Sequence, residues 1–257
     1  MGRDEGGESA RGGDSRLRVR SGSPILANLY LHYVLDLWVE AWRKKQAHGD
    51  VIIVRYADDA VLGFERRDEA ERFLEQLRER LAKFGLELHP EKTRLIEFGR
   101  YAAARRKKRG EGKPETFNFL GFTHICGTNH KTGNFAVHRK TVGKRMAAKL
   151  KDIRAKLRQR MHDRVPGTLK WLQQVVGGYF QYHAIPGNWA RLKAFRSDVL
   201  RIWFQTLRRR SQRSRLTWER FRHSLGNLLP PVHVLQPYPD VRFDAKHPRI
   251  RGKNRVR

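Results

Sequence analysis

Two apolar runs, residues 51–54 and 60–64, flank the tetrapeptide Tyr56-Ala57-Asp58-Asp59. Val, Ile, Phe and Tyr favour strands, and the interruption at Ala57-Asp58-Asp59 predicts a tight turn between two of them. Adjacent carboxylates at a hairpin tip repel one another unless a counter-charge lies near them, and a divalent cation is the usual one. A bare Asp-Asp pair is more typical of a polar loop, so the metal-site hypothesis depends on the surrounding residues.

The chain around this hairpin alternates between helical and extended patterns. An apolar stretch over 25–42 predicts a helix that is buried on most sides, and residues 68–71 resemble a capping box for an amphipathic helix that ends before Gly85. Short strands are expected at 86–88, 94–98, 117–125 and 134–137, with a charged loop at 105–109. Residues 23–140 are therefore expected to form an α+β domain with an antiparallel sheet.

The pattern becomes helical from residue 141 onward. Three stripes at helical spacing predict a small all-α bundle over 141–230, and a shorter helix is expected near 218–225. Residues 1–22 are almost all Gly, Arg, Ser, Asp and Glu, which predicts a disordered leader, and residues 231–257 form a basic, Pro-containing tail. The stripes consist of Met146, Leu150, Ile153, Leu157 and Met161; Leu169, Leu172, Val176 and Phe180; and Leu192, Phe195, Val199, Ile202, Phe204 and Leu207.

Charge is distributed very unevenly along the chain. Residues 1–100 carry 18 Lys and Arg and 18 Asp and Glu, whereas residues 101–257 carry 37 and 8, so the second part holds the whole net charge of +29. A cationic surface of this size favours a nucleic-acid partner. A membrane partner is not expected, because the basic helices carry their apolar residues as core stripes. With no apolar signal sequence and one cysteine, Cys126, we expect a cytoplasmic location.

The expected nucleic-acid contacts lie in three basic stretches. They are Arg105, Arg106, Lys107, Lys108 and Arg109 in the charged loop, Lys144, Arg145 and Lys149 on the first bundle helix, and Arg208, Arg209 and Arg210 at the end of the third.

Four ordered motifs resemble those of reverse transcriptases: residues 23–32 before the hairpin, the Tyr56–Asp59 signature itself, 86–93 (LELHPEKT) after the next helix, and 117–122 (FNFLGF) closing a polymerase palm. The later segments 178–188, 209–212, 218–221 and 236–242 are similar to the maturase, or thumb, domain of bacterial group II intron-encoded proteins. The resemblance covers about residues 23–243 and implies a partial palm over 23–140 followed by a maturase domain.

The resemblance implies an RNA-directed DNA polymerase that acts with Mg²⁺ on dNTPs and a DNA primer or target, and a maturase that binds group II intron RNA. Asp58 would be a Mg²⁺ ligand, Asp59 a ligand or close electrostatic partner, and Tyr56 and Ala57 would line the primer end or nucleotide. Lys92 is equally consistent with a residue near the leaving phosphate and with an exposed turn lysine.

The sequence departs from the family pattern before the hairpin. Family members carry Pro-Gln-Gly where this chain has residues 17–22, and a third catalytic aspartate on an earlier strand, for which Asp4 and Asp14 are not substitutes. Asp36 lies within a predicted helix, where capping or pairing is the expected role. We therefore expect an N-terminally truncated relative, and a non-catalytic intron-RNA-binding splicing factor or an inactive remnant is the alternative.

Overall fold

The computed structural model of the protein describes residues 23–129, 133–211 and 215–237. These residues belong to two compact units, of which the first ends at Leu95 and the second begins at Ile96. The predicted leader over 1–22 and most of the predicted tail lie outside the described residues. Helices and antiparallel sheets alternate along the chain, which is compatible with the predicted α+β class.

The first unit contains helices α1 (Ser23–Leu31), α2 (Leu37–Lys45) and α3 (Arg67–Ala82), and strands β1 (Val51–Tyr56) and β2 (Asp59–Phe64). A π-helical turn, His32–Asp36, joins α1 to α2, so the predicted helix over 25–42 is confirmed. Its predicted burial on most sides is wrong, because the apolar core takes only one face of it. The exposed residues are Ile25, Leu26, Leu29, Tyr30, Tyr33 and Leu37.

Strands β1 and β2 form an antiparallel two-stranded sheet whose two faces differ. Side chains alternate between the faces of a strand. Alternate residues on one face pack into a core with α2, α3 and the π-helical turn, which explains the position of the hairpin on these helices. The core consists of Val34, Leu35, Val39, Trp42, Val51, Phe73, Leu77 and Leu81, with Ile53, Leu62 and Phe64 packed against it.

Helix α3 starts differently from the sequence prediction. Arg66 is its N-cap residue and makes no side-chain capping bond, so the expected capping box at 68–71 is wrong. Glu69 instead turns inward, where 1 % of it is exposed, and its carboxylate accepts hydrogen bonds from the backbone N–H groups of His48 (2.8 Å) and Gly49 (3.4 Å). The helix ends as predicted, since Gly85 has a φ of +66° just beyond it.

The second unit begins with helix α4 (Ala102–Lys108) and a sheet of strands β3 (Phe117–Phe119), β4 (Phe122–Thr128) and β5 (Phe135–Thr141) in the order β3-β4-β5. The predicted single strand over 117–125 is two strands, because Leu120 and Gly121 both have positive φ and form a tight hairpin loop. The predicted charged loop at 105–109 is wrong, as most of it is helical. The strands expected at 86–88 and 94–98 are absent from the described structure.

Helices α5 (Gly143–Gln159), α6 (Val165–His183), α7 (Trp189–Arg208) and α8 (Trp218–Ser224) complete the second unit, followed by a 3₁₀ turn at Gly226–Leu228. They surround one apolar core in which Trp203, Phe195 and Phe221 are fully buried. The three predicted helical stripes all contribute to this core. Sheet and helices lie in one unit here, whereas the sequence divided them near residue 140, and the domain limits stay a prediction. No helix among the described residues is long and apolar enough to cross a membrane.

We predict that Glu69→Gln destabilises the first unit above pH 4.5. Hydrogen bonding to the His48 backbone N–H, opposed in part by burial, lowers the pKa of Glu69 below its ordinary value of 4.5. A carboxyl group with a lowered pKa in the folded state stabilises the fold above its unfolded pKa, and this contribution is lost as the pH falls through the folded pKa. Urea unfolding should therefore show a lower midpoint for the variant at pH 7, and a smaller difference at pH 4 and below.

The matched control is Glu75→Gln on the exposed side of the same helix, which should unfold at the wild-type urea concentration throughout this pH range. A pH-independent difference between wild type and Glu69→Gln would contradict the role assigned to the ionised carboxylate.

Candidate active site at the hairpin tip

The hairpin tip is built from a two-residue loop. Strand pairing continues as far as Tyr56 opposite Asp59, so Ala57 and Asp58 alone form the loop and Asp59 begins β2. The sequence predicted a three-residue interruption, which is one residue too long. Asp58 and Asp59 are consecutive residues at this tip, and both are exposed to solvent.

Asp59 lies on the face of the hairpin that the core leaves uncovered. Directly opposed residues of an antiparallel pair present their side chains on the same face, so Asp59 shares a face with Tyr56, which is 66 % exposed. Val54 and Ile52 continue this face along β1, and both are exposed. The predicted site residues Tyr56 and Asp59 are therefore brought together on a surface that a ligand can reach.

Arg55 fastens the hairpin tip to the preceding helical segment. Its guanidinium makes a bidentate pair with Asp36, with Nε at 2.8 Å from Oδ1 and Nη2 at 2.6 Å from Oδ2. Nη1 also donates to Oδ1 of Asn28 (3.0 Å) and to the backbone carbonyl of Ala57 (2.8 Å). One half-buried cation thus joins helix α1, the π-helical turn and the loop that carries Asp58.

The loop needs such support because of its backbone conformation. Ala57 has a φ of +54°, a region that costs a residue with a Cβ atom about 1–2 kcal/mol. Surrounding contacts must hold a residue in this region, and such positions cluster at functional sites. The hydrogen bond from Arg55 to the Ala57 carbonyl supplies one of these contacts at the position next to Asp58.

Asp36 fulfils the pairing role that its place in the helix predicts. Hydrogen bonding to Arg55 lowers the pKa of Asp36 below its ordinary value of 3.8, and His32, 3.4 Å away, contributes less. The same contact raises the pKa of Arg55. Both groups therefore stay ionised around neutral pH, and Asp36 is committed to Arg55.

The donor atoms at the tip suit a hard divalent cation. Mg²⁺ is commonly held by one or two carboxylates together with water and substrate phosphates, which matches Asp58 and Asp59 in type and number. Within the described ranges, no group of three or more His, Cys, Asp or Glu residues is placed to hold a metal ion. Any further ligands would therefore come from water or substrate, or from residues outside those ranges.

Lys92 occupies a turn that follows α3, where its backbone N–H donates to the carbonyl of His89 at 3.2 Å. Its side chain is exposed, and within the described residues it forms no ion pair with Asp58 or Asp59. Both sequence-based interpretations of Lys92 therefore stay predictions.

The predicted RNA contacts on α4 fall into two groups. Arg106 pairs with Glu111 at 3.5 Å and Glu115 at 3.9 Å, and Arg109 pairs with Glu97 and Glu111. Arg105, Lys107 and Lys108 are exposed, and no ion pair involves them in the part of the chain that the structure describes. These three keep their charges available to a ligand.

The predicted contacts on the bundle helices also differ from one another. Lys144 and Arg145 are exposed at the start of α5, whereas Lys149 lies 3.7 Å from Asp152. Arg208 and Arg209 are exposed at the end of α7, but Arg210 is half-buried and donates to the carbonyl of Asp163 at 2.8 Å. The sequence identified the basic segments, while the fold decides which cations in them are available.

Sequence reasoning missed the role of Arg55 and Asn28. One signal was present, because Arg55 is the single charged residue in the otherwise apolar segment 51–56. A buried charge needs a partner, and the segment contains none. The identity of that partner depends on the tertiary fold, since Asp36 lies 19 residues earlier.

Comparison with known proteins places the hairpin within a segment that matches a known family. Residues 20–124 match the family model of the reverse transcriptases, described as RNA-dependent DNA polymerases, and this segment contains the whole hairpin. The match supports a reverse transcriptase in this part of the chain, as the four motifs indicated. The narrower assignment to group II intron maturases stays a prediction. A search of the curated proteins found no significant match.

We predict that Arg55 and Asp36 are energetically coupled. Removing one partner of this partly buried pair, in Arg55→Gln or Asp36→Asn, should lower the free energy of unfolding by about 1–3 kcal/mol. The double variant should lose less than the sum of the two, and a double-mutant cycle from urea unfolding measures this coupling. In the exposed control pair, Arg67 and Glu71, the coupling should stay below about 0.5 kcal/mol. Strict additivity of the two losses at Arg55 and Asp36 would contradict the network.

Proposed function

We propose that the protein is an RNA-directed DNA polymerase and splicing maturase of a group II intron. The observation that carries the polymerase part is the hairpin tip, which presents Asp58 and Asp59 beside exposed Tyr56 inside the segment that matches the reverse transcriptases. The maturase part is supported by the motifs at 178–188, 218–221 and 236–242. A cytoplasmic location is part of the same proposal.

In this proposal the carboxylates of Asp58 and Asp59 would hold Mg²⁺ when a dNTP is bound. The chemistry that Mg²⁺ supplies at such a site is activation of the primer 3′ hydroxyl and neutralisation of charge on the transferred phosphoryl group. Tyr56 and Ala57 would contact the primer end or the nucleotide from the exposed face. Arg55 does not reach that face, and its part is to hold the loop so that Asp58 keeps its position.

The second unit would bind intron RNA through phosphate contacts. Its large excess of Lys and Arg and the available cations on α4, α5 and α7 support this role, because positive charge supplies most sequence-independent affinity for nucleic acid. A DNA primer or target would be the second nucleic-acid partner.

A non-catalytic intron-RNA-binding splicing factor is the second candidate. It is favoured by one observation, that the described residues offer no third carboxylate beside Asp58 and Asp59. The two candidates share the RNA-binding surface and differ only in polymerisation.

We expect the purified chain to extend a DNA primer on an RNA template with Mg²⁺. Asp58→Ala and Asp59→Ala should each reduce the rate by about 100-fold or more, because each removes a carboxylate that would stabilise the metal-bound transition state. Single-nucleotide extension of oligo(dT) on poly(rA), followed on a denaturing gel, measures the rate.

The matched control is Asp50→Ala, which removes an exposed carboxylate just before β1, at the other end of the hairpin, and should leave the rate unchanged. Wild type without any extension would refute the polymerase proposal and favour the splicing factor.

We also predict a steep salt dependence of RNA binding. When the logarithm of the affinity is plotted against the logarithm of the salt concentration, the slope is negative and proportional to the number of phosphates contacted. Replacing both Lys107 and Lys108 with Gln should reduce the slope by about two, roughly one for each lost contact. The same double replacement at Lys44 and Lys45 on α2 is the control and should leave the slope unchanged. Filter binding of a structured intron RNA at several KCl concentrations measures it, and a weak, salt-insensitive interaction would refute RNA binding.

A further inference from the structure

An open cavity of about 540 Å³ lies between the end of α7 and the start of α8. It is lined by Arg201, Phe204, Gln205, Arg208, Arg209 and Trp218. Its volume falls within the range of small-molecule sites, about 300–1,000 Å³. Only Arg208 and Arg209 among these residues were expected from the sequence to contact RNA.

The lining combines three guanidinium groups with no carboxylate. Arg208 and Arg209 have no ion-pair partner within the described ranges of the chain, although the Arg208 guanidinium lies 5.8 Å from the centre of the Phe204 ring. Arg201 lies 3.5 Å from Asp198, but both side chains of this pair are exposed, and exposed ion pairs have small interaction energies. The cavity therefore presents an uncompensated positive charge.

Trp218 forms a fixed aromatic wall of this cavity. Thr217 caps α8, since its Oγ1 accepts a hydrogen bond from the backbone N–H of Arg220 at 3.3 Å. The Trp218 ring packs at 5.6 Å and 28° on Phe221, which is fully buried, and meets Phe204 edge-on at 5.2 Å. These contacts hold the indole in place, and the half-buried ring lines the cavity.

We propose that this cavity binds an unpaired nucleotide, with its base stacked on Trp218 and its phosphate held by Arg208 and Arg209. Arginine suits phosphate because its planar fork can donate two parallel hydrogen bonds. Aromatic side chains stack on bases of single strands, whereas the bases of a duplex already stack on one another. Gln205 adds an amide that can donate to and accept from a base edge. The inference rests on the proposed RNA binding and adds a specific site to it.

The test is binding of a fluorescein-labelled oligouridylate of about 12 nucleotides, a typical single-strand site size, to the full chain without Mg²⁺. Trp218→Leu keeps apolar volume against Phe221 but removes the stacking surface, and it should weaken binding by about 5- to 100-fold. Trp218→Phe restores an aromatic ring and should recover most of the affinity. Binding of an RNA duplex of the same length should not change in either variant.

Trp189→Leu is the matched control, because Trp189 is an exposed tryptophan at the opposite end of α7 and does not line the cavity. It should bind the oligomer as wild type does. Arg208→Gln and Arg209→Gln should each lower the salt slope of oligomer binding by about one. Thermal melts check that each variant is folded, and equal weakening of oligomer and duplex binding by Trp218→Leu would overturn the proposal.

Photo-crosslinking gives a second measurement that does not depend on a variant. An oligomer with 4-thiouridine should label the tryptic peptide 216–220, which contains Trp218. Labelling confined to other peptides would overturn the proposal. The same oligomer made with deoxyuridine distinguishes an RNA-specific site from one for any single strand.

Failure of this inference is distinguishable from failure of the proposed function. If Trp218→Leu binds the oligomer as tightly as wild type, while structured RNA binding keeps its steep salt dependence, only the cavity proposal fails. If the chain binds RNA through Trp218 but does not extend a primer, the polymerase proposal fails and the cavity proposal holds.

Discussion

In the first unit, the position of the hairpin tip depends on one contact, the bidentate pair between Arg55 and Asp36. A half-buried cation in a strand must be neutralised, and Asp36 does this from a turn of the preceding helix that has π rather than α geometry. Local π turns occur frequently at functional sites. The same guanidinium holds the strained Ala57 backbone, so the core of the unit and its exposed tip are linked through a single side chain.

The two units differ in net charge. The first unit has nearly balanced charge and presents two carboxylates at a hairpin tip, which suits chemistry on a metal-bound phosphate. Much of the cationic excess of the second unit lies on helices, and the apolar stripes of its bundle helices are buried in a core. A polymerase needs carboxylates to bind the metal ion at its active site. It also needs positive charge elsewhere, because it holds nucleic acid through many phosphates.

The sequence predicts elements well where the signal is local. Two apolar runs around a short polar interruption indicated the hairpin, and helical stripes indicated α3, α5, α6 and α7. Strands at 86–88 and 94–98 failed because a strand requires a partner, and Leu86 and Leu88 instead pack on the first core. The expected loop at 105–109 is mostly helical since Ala102, Ala103 and Ala104 precede it and Lys and Arg are good helix formers. The carboxylates of the site were predictable, whereas their support by Arg55 is a tertiary contact without a local signal.

The alternation along β1 also makes Arg55 a determinant of strand register. A slip of one residue between β1 and the helices would turn Tyr56, Val54 and Ile52 inward and Arg55 outward. Val51 and Ile53 would leave the core in exchange, so burial would change little and hydrophobicity alone does not oppose the slip. The ion pair with Asp36 does, because it exists in one register only. Hydrophobic burial would tolerate both registers of β1. The charge of Arg55 selects the register that leaves Asp59 facing solvent.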